Sequence, residues 1–176
     1  MLLVFYGKGK GKTTAAYGTA IRALGRGWRV VVASFMKSGD SGEIELLRKL
    51  ELPVKVYVLG TREFVKPGDY EGEAASENMA KAYAFLRYEL PKLMRNYKPK
   101  LVVFDELGLA VHLALVDEGT ATRVLKRFTG DRELHAIVTG RYVPNTLKNM
   151  ADLISEVREV KHYFRRGYIN VVGLDR

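Results

Sequence analysis

Apolar positions along the chain follow two distinct periods. Met1-Leu2-Leu3-Val4-Phe5-Tyr6, Arg29-Val30-Val31-Val32-Ala33-Ser34-Phe35, Val54–Leu59, Leu101-Val102-Val103-Phe104 and Leu134–Val138 are short, mostly apolar runs, the pattern of strands buried on both faces. Between them lie longer stretches in which apolar residues recur every three or four positions: Thr13–Leu24, closed by Gly25-Arg26-Gly27, then Glu73–Arg95 and Glu118–Phe128. That spacing gathers apolar side chains on one helical face, and glycine just past the last turn stops a helix. Pro144 predicts the start of a short helix running to Ala151, and Leu153–Val160 alternates as a last strand. Strands separated by helices predict an α/β fold whose mainly parallel sheet carries helices on both faces. Ligands of such sheets bind at the carboxyl ends of the strands, so the residues that follow each apolar run are where chemistry is expected. The longest irregular pieces, Lys37–Glu43 and Gly60–Gly72, fall on that edge, where loops set specificity.

The first run breaks into Gly7-Lys8-Gly9-Lys10-Gly11-Lys12-Thr13-Thr14. Glycine at alternate positions lets backbone N–H groups converge on phosphate oxygens, and the helix that follows offers its positive end. In the pattern G-x-x-x-x-G-K-[ST] the lysine supplies charge to the phosphates and the hydroxyl ligates Mg²⁺, roles that fall here to Lys12 and Thr13. Three residues separate Gly7 from Gly11 where that pattern has four, which predicts a tighter loop. A flexible basic linker is the plain alternative, but a linker has no reason to join a buried-type strand to a helix. The fold class expected is therefore P-loop NTPase-like, with Gly7, Lys8, Gly9, Lys10, Gly11, Lys12, Thr13 and Thr14 around a nucleotide. Lys8 and Lys10 add charge that neutralises a triphosphate.

Asp105-Glu106 closes the Leu101 run. Two carboxylates at a strand end beside such a loop hold a metal directly or through water. The alternative is a pair that merely caps the next helix. Arg141 follows Thr139-Gly140 at another strand end, where a guanidinium reaches a phosphate or a substrate carboxamide, with a surface arginine as the rival reading. The histidines show no zinc-ligand spacing, and His112 and His135 read as structural or exposed.

Composition bounds these readings. With 176 residues, 47% of them hydrophobic, one domain spanning 1–176 is expected. The absence of cysteine excludes disulfides, thiolate catalysis and cysteine-based zinc sites. The 29 basic residues outweigh 20 acidic ones, giving a net charge of +9 and an isoelectric point near 9.7, which favours anionic partners. The apolar start is too short for a signal-peptide core and no stretch approaches the ~20 apolar residues of a membrane span, so a soluble cytoplasmic protein with no membrane partner is expected. The lack of glutamine beside abundant Lys, Arg and Glu suits a hot source.

Taken together, the loop Gly7–Gly18, Val103-Phe104-Asp105-Glu106-Leu107, Thr139-Gly140-Arg141 and the tail Ala151–Gly167, with its Ser155-Glu156-Val157-Arg158-Glu159-Val160-Lys161-His162, resemble the ATP:corrinoid adenosyltransferases that act on cob(I)alamin or cob(I)yrinic acid a,c-diamide. The resemblance covers nearly the whole chain, including the short loop. It implies that a Co(I) corrinoid attacks the ribose 5′ carbon of ATP, that adenosyl passes to cobalt and that triphosphate leaves. It implies Mg²⁺ or Mn²⁺ near Thr13 and Glu106, beside the metal role read above for Asp105, with catalytic roles for Lys12 and Glu106 and Arg22 as a further ATP-site residue. It also implies a homodimer, a flavoprotein reductant, and an aromatic wedge beneath the corrin, for which Gly60-Thr61-Arg62-Glu63-Phe64 offers Phe64.

Two other functions share parts of this pattern. An ordinary P-loop ATPase or phosphoryl-transfer enzyme would carry the same loop and Asp105-Glu106. A nucleotide-regulated nucleic-acid-binding module would account for the basic charge, although no nucleic-acid motif is present and no nucleic-acid partner is expected.

Overall fold

The computed structural model describes residues 1–63, 65 and 72–175. Six strands, β1 (Leu2–Tyr6), β2 (Val30–Ser34), β3 (Val54–Val58), β4 (Leu101–Asp105), β5 (His135–Gly140) and β6 (Leu153–Glu156), form one sheet in the order β3-β2-β4-β5-β1-β6. Every pairing is parallel. The fold is the α/β class expected from the alternation of strand and helix.

Alternate strand residues feed two cores, as the twofold period of a strand requires. Val30, Val32, Leu101, Val103 and Ile137 pack on one face against Ala16, Tyr17 and Ala20 of α1 (Lys12–Leu24) and against Ile44 and Leu47 of α2 (Gly42–Lys49). On the other face Leu2, Val4, Val31, Ala33, Val102, Phe104 and Val138 meet the helices that follow β3 in the chain. These are α3 (Glu73–Ala84), α4 (Leu90–Lys92), α5 (Leu107–His112), α6 (Glu118–Leu125) and α7 (Asn145–Lys148).

The structure adds two helices that the apolar period does not announce. Helix α2 buries only Ile44 and Leu47, too few repeats to stand out, and its ends are favoured by Glu43 and Glu45 in the first turn with Arg48 and Lys49 in the last. Helix α5 follows Asp105-Glu106 directly and buries most of its residues, so its pattern merges with the strand before it. The helix expected over Glu73–Arg95 is present but changes pitch, passing from α3 through a π-helical turn at Phe85–Glu89, then α4, then a second π-helical turn at Leu93–Tyr97. Pro91 lies between the two turns; it lacks an N–H and crowds the carbonyl four residues back, which loosens the α ladder around it. The last strand ends at Glu156 and not at Val160; it pairs with β1, whose own last residue is Tyr6.

Candidate active site

The glycine-lysine loop leaves β1 at the carboxyl edge of the sheet and enters α1 through Gly11. Backbone pairing does not stop where β6 ends. Val157 N–H donates to the Tyr6 carbonyl at 2.7 Å, and Gly9 N–H donates to the Val157 carbonyl at 2.8 Å. The tail therefore runs on beside the loop as a strap. Contact is so close that a Cβ on Gly7 would lie 2.4 Å from the Val157 carbonyl oxygen, and one on Gly9 within 2.7–2.9 Å of Val157 and Arg158 backbone atoms. These glycines serve the tail as well as the loop. Farther along, Asp175 accepts from Lys10 at 2.9 Å and from Tyr163, contacts that hold its carboxyl down at about 2, with the Tyr163 hydrogen bond as the larger cause.

Across the loop, the end of β4 carries a buried network. Asp105 has no exposed surface. Its Oδ1 accepts from the hydroxyls of Thr13 at 2.9 Å and Thr139 at 2.7 Å, and its Oδ2 accepts from the Lys37 ammonium at 2.6 Å. Lys37 also donates to Thr13 Oγ1 at 3.0 Å, and the Glu106 N–H donates to Thr139 Oγ1 at 2.8 Å. Each hydroxyl thus gives one hydrogen and accepts one, which fixes its orientation.

Glu106 sits differently. Its backbone is left-handed at φ 60°, a conformation that costs a non-glycine residue of order 1 kcal/mol or more. Its Oε2 is buried with no hydrogen-bond partner, while the Arg141 N–H reaches its carboxylate. Burial, then the charge of Asp105, raise its carboxyl above the ordinary value. An orphaned carboxylate oxygen near a threonine hydroxyl and a second carboxylate is a hard-oxygen donor set, and it fits Mg²⁺ or Mn²⁺ completed by phosphate oxygens and water. No group of three or more His, Cys, Asp and Glu side chains able to hold a metal occurs among the described residues. Lys12 turns back to donate to the Gly9 carbonyl at 2.7 Å, and burial lowers its pKa while Glu106 opposes the shift.

A cleft of about 570 Å³ brings together Lys8, Lys10, Gly11, Lys12, Thr13 and Thr14 with Lys37, Glu106 and Arg141. A second cleft of about 800 Å³ lies on the tail side of the loop, between Tyr6, Tyr142, Lys148 and Arg158, and shares Lys8 and Arg141 with the first. The loop, Asp105-Glu106 and Arg141 thus converge as the strand-end argument expects. Arg22 does not join them: it is exposed in the last turn of α1, nine residues beyond Thr13, about 14 Å along the helix axis. Phe64 lies outside the described residues. His135 is buried and stacks on Trp28, and His112 stacks on Tyr142, in keeping with their reading as structural or exposed. Lys37 and the hydroxyl of Thr139 escaped the sequence reading. Both stand at carboxyl ends of strands adjacent to β4 or immediately beyond them, and that position was the available signal.

The model of the family described as ATP:corrinoid adenosyltransferase BtuR/CobO/CobP matches residues 1–175. The chain belongs to this family. It is 30% identical over 176 residues to the corrinoid adenosyltransferase of Escherichia coli (strain K12), covering 99% of this chain and 85% of that one. It is 32% identical over 169 residues to the corrinoid adenosyltransferase of Pseudomonas aeruginosa, covering 95% and 79%. To that of a Sinorhizobium species it is 31% identical over 169 residues, covering 95% and 76%. The tail that straps the loop is thus part of the adenosyltransferase family match, and so are both strand ends that meet Thr13.

Proposed function

We propose that this family member transfers the 5′-deoxyadenosyl group of ATP to the cobalt of a corrinoid, in adenosylcobalamin biosynthesis or salvage. The observation that carries this reading is the meeting, in one cleft, of the loop lysines with Thr13 and Glu106, with buried Asp105 bonded to Thr13 behind them, in a chain matched by the family along its length. The electron pair of Co(I) forms the bond to ribose C5′, the C5′–O bond to the α-phosphate breaks, and triphosphate leaves with that bonding pair, so that cobalt ends as Co(III). The leaving group gains negative charge, and what the protein must supply is fixed positive charge around it.

Lys12 gives up the Gly9 carbonyl for the phosphates, its lowered pKa rising again beside them. Lys8, Lys10 and Arg141 line the same cleft and spread the remaining charge. Thr13, Glu106 and Asp105 would hold Mg²⁺ or Mn²⁺, which, when bound, supplies Lewis-acid neutralisation of the phosphate oxygens. The tail strap keeps the shortened loop from opening. Phe64 is carried in this reading, on sequence alone, as the aromatic beneath the corrin. A cytoplasmic homodimer served by a flavoprotein reductant completes the proposal; no helix among the described residues is long and apolar enough to cross a membrane.

Incubation with ATP, Mg²⁺ and a chemically reduced corrinoid tests it. Light-sensitive adenosylcorrinoid and intact triphosphate are expected in equal amounts. ADP and phosphate without a cobalt–carbon bond would instead establish the phosphoryl-transfer reading. Lys12→Ala should abolish ATP binding by calorimetry with the fold retained.

A further inference from the structure

Lys37 lies where a second cation has to go. Its ammonium is 2.6 Å from Asp105 Oδ2 and 3.0 Å from Thr13 Oγ1, two of the oxygens that the metal reading requires. A magnesium ion needs such oxygens at about 2.0–2.1 Å. An ion bound to that pair on the side from which the ammonium reaches it would therefore crowd the ammonium nitrogen. Two positive charges do not share that space.

The surroundings show which part can move. Met36 is left-handed at φ 60°, and Gly60 packs so closely that a Cβ there would lie 2.1 Å from the Lys37 backbone nitrogen. The backbone at 36–37 is thus clamped between strand ends. The Lys37 side chain is 28% exposed, and it borders the same cleft as Lys12 and Thr13. A clamped main chain with a flexible four-carbon stem on an open cleft lets the ammonium swing while Asp105 stays fixed.

We propose that the Lys37 ammonium and the divalent cation are alternative occupants of the Asp105–Thr13 oxygen pair, and that metal binding moves Lys37 onto the phosphates. Lys37 is then a positioning residue. Before substrate it neutralises a fully buried carboxylate and keeps the Thr13 hydroxyl aimed at it. Because its displacement is more favourable when phosphates are present to receive it, metal alone displaces it only at high concentration, and metal and nucleotide strengthen each other's binding. This rests on the metal–ATP reading of the site and deepens it.

Mn²⁺ binding to the nucleotide-free protein, followed by its electron paramagnetic resonance, tests the exchange without corrinoid or turnover, so a protein that transfers no adenosyl group still gives an answer. Lys37→Met should bind Mn²⁺ at least about tenfold tighter than wild type, since a unit charge at contact distance no longer competes. It should also lose most of the enhancement that added triphosphate gives wild type. Equal or weaker Mn²⁺ binding by Lys37→Met overturns the proposal. If Lys37→Met fails to fold, wild type decides: amine modification of Lys37, read by mass spectrometry, should rise several-fold on saturation with Mn²⁺ and fall when triphosphate is added. Reactivity unchanged by Mn²⁺ overturns the proposal equally.

Discussion

Two regions on either side of the glycine loop hold it by opposite means. Toward β4 and β5 the contact is made by side chains: Thr13, Thr139 and Lys37 converge on a carboxylate with no exposed surface. Toward β6 it is made by backbone, two hydrogen bonds through Val157, followed by a tail whose Val160, Phe164, Ile169 and Val172 are all exposed. The first arrangement is dense, charged and able to exchange partners; the second is sequence-tolerant, sterically exact at two glycines and poorly anchored beyond them. The difference teaches that chemistry and loop shape are maintained separately. A change on one side should leave the signature of the other intact.

Asp105→Ala gives the largest expected effect. It strands the Lys37 ammonium and two hydroxyls, as breaking a buried ion pair does, at a cost of about 3 kcal/mol or more. Thermal unfolding should show a midpoint lower by about 6 °C or more, with the tail no more open to protease than in wild type below the transition. A midpoint within a degree or so of wild type would mean that the network adds little to stability.

Gly9→Ala should come next, at about 1–3 kcal/mol, because its methyl would overlap the backbone at 157–158. Limited proteolysis should then cut the tail faster while Mn²⁺ binding at the other side persists. If the tail keeps its wild-type protection, the strap does not depend on that contact.

Glu106→Gln separates function from stability within the dense side. With its carboxyl raised above the ordinary 4.5, the folded protein binds this proton more tightly than the unfolded chain does, and wild-type stability falls as pH rises through that window. Glutamine removes the penalty, so at neutral pH the variant should melt no lower than wild type, yet lose Mg²⁺-dependent activity. Denaturant titrations from pH 4 to 7 on both proteins, beside the adenosyl-transfer assay, test this; a clearly less stable variant would show that Glu106 is a structural residue.

The smallest effect is expected at Asp175, whose carboxyl is held at about 2 by Tyr163 and then Lys10. Stability from a lowered carboxyl is present above its ordinary value of 3.8 and disappears as pH falls through about 2. Pepsin should therefore cut the wild-type tail increasingly between pH 4 and pH 2, and Asp175→Asn should be cut readily at both, with the global melting temperature unchanged. Identical cleavage profiles would remove the ion pair from the account of the tail.

Much of the architecture was legible because it rests on local chemistry. Buried parallel strands need continuous apolar runs, and Leu2–Tyr6, Val30–Ser34 and Leu101–Asp105 have them. Loop and carboxylate pair were legible for the same reason, being defined by adjacent residues. Helices α2 and α5 were not, since one is too short to display a period and the other is buried nearly all round.

By itself, then, the sequence determined the fold class, the loop that ends β1 and the acidic pair that ends β4, because strand pattern and glycine spacing act within a few residues. Tertiary structure alone decided that Lys37, 68 positions before Asp105, would complete its ion pair, and that Val157 would close on Gly9. It also left Arg22 on an outward turn of α1. Such choices depend on strand order, β2 beside β4 and β6 beside β1, and strand order is set by how distant apolar faces pack together, which no local pattern encodes.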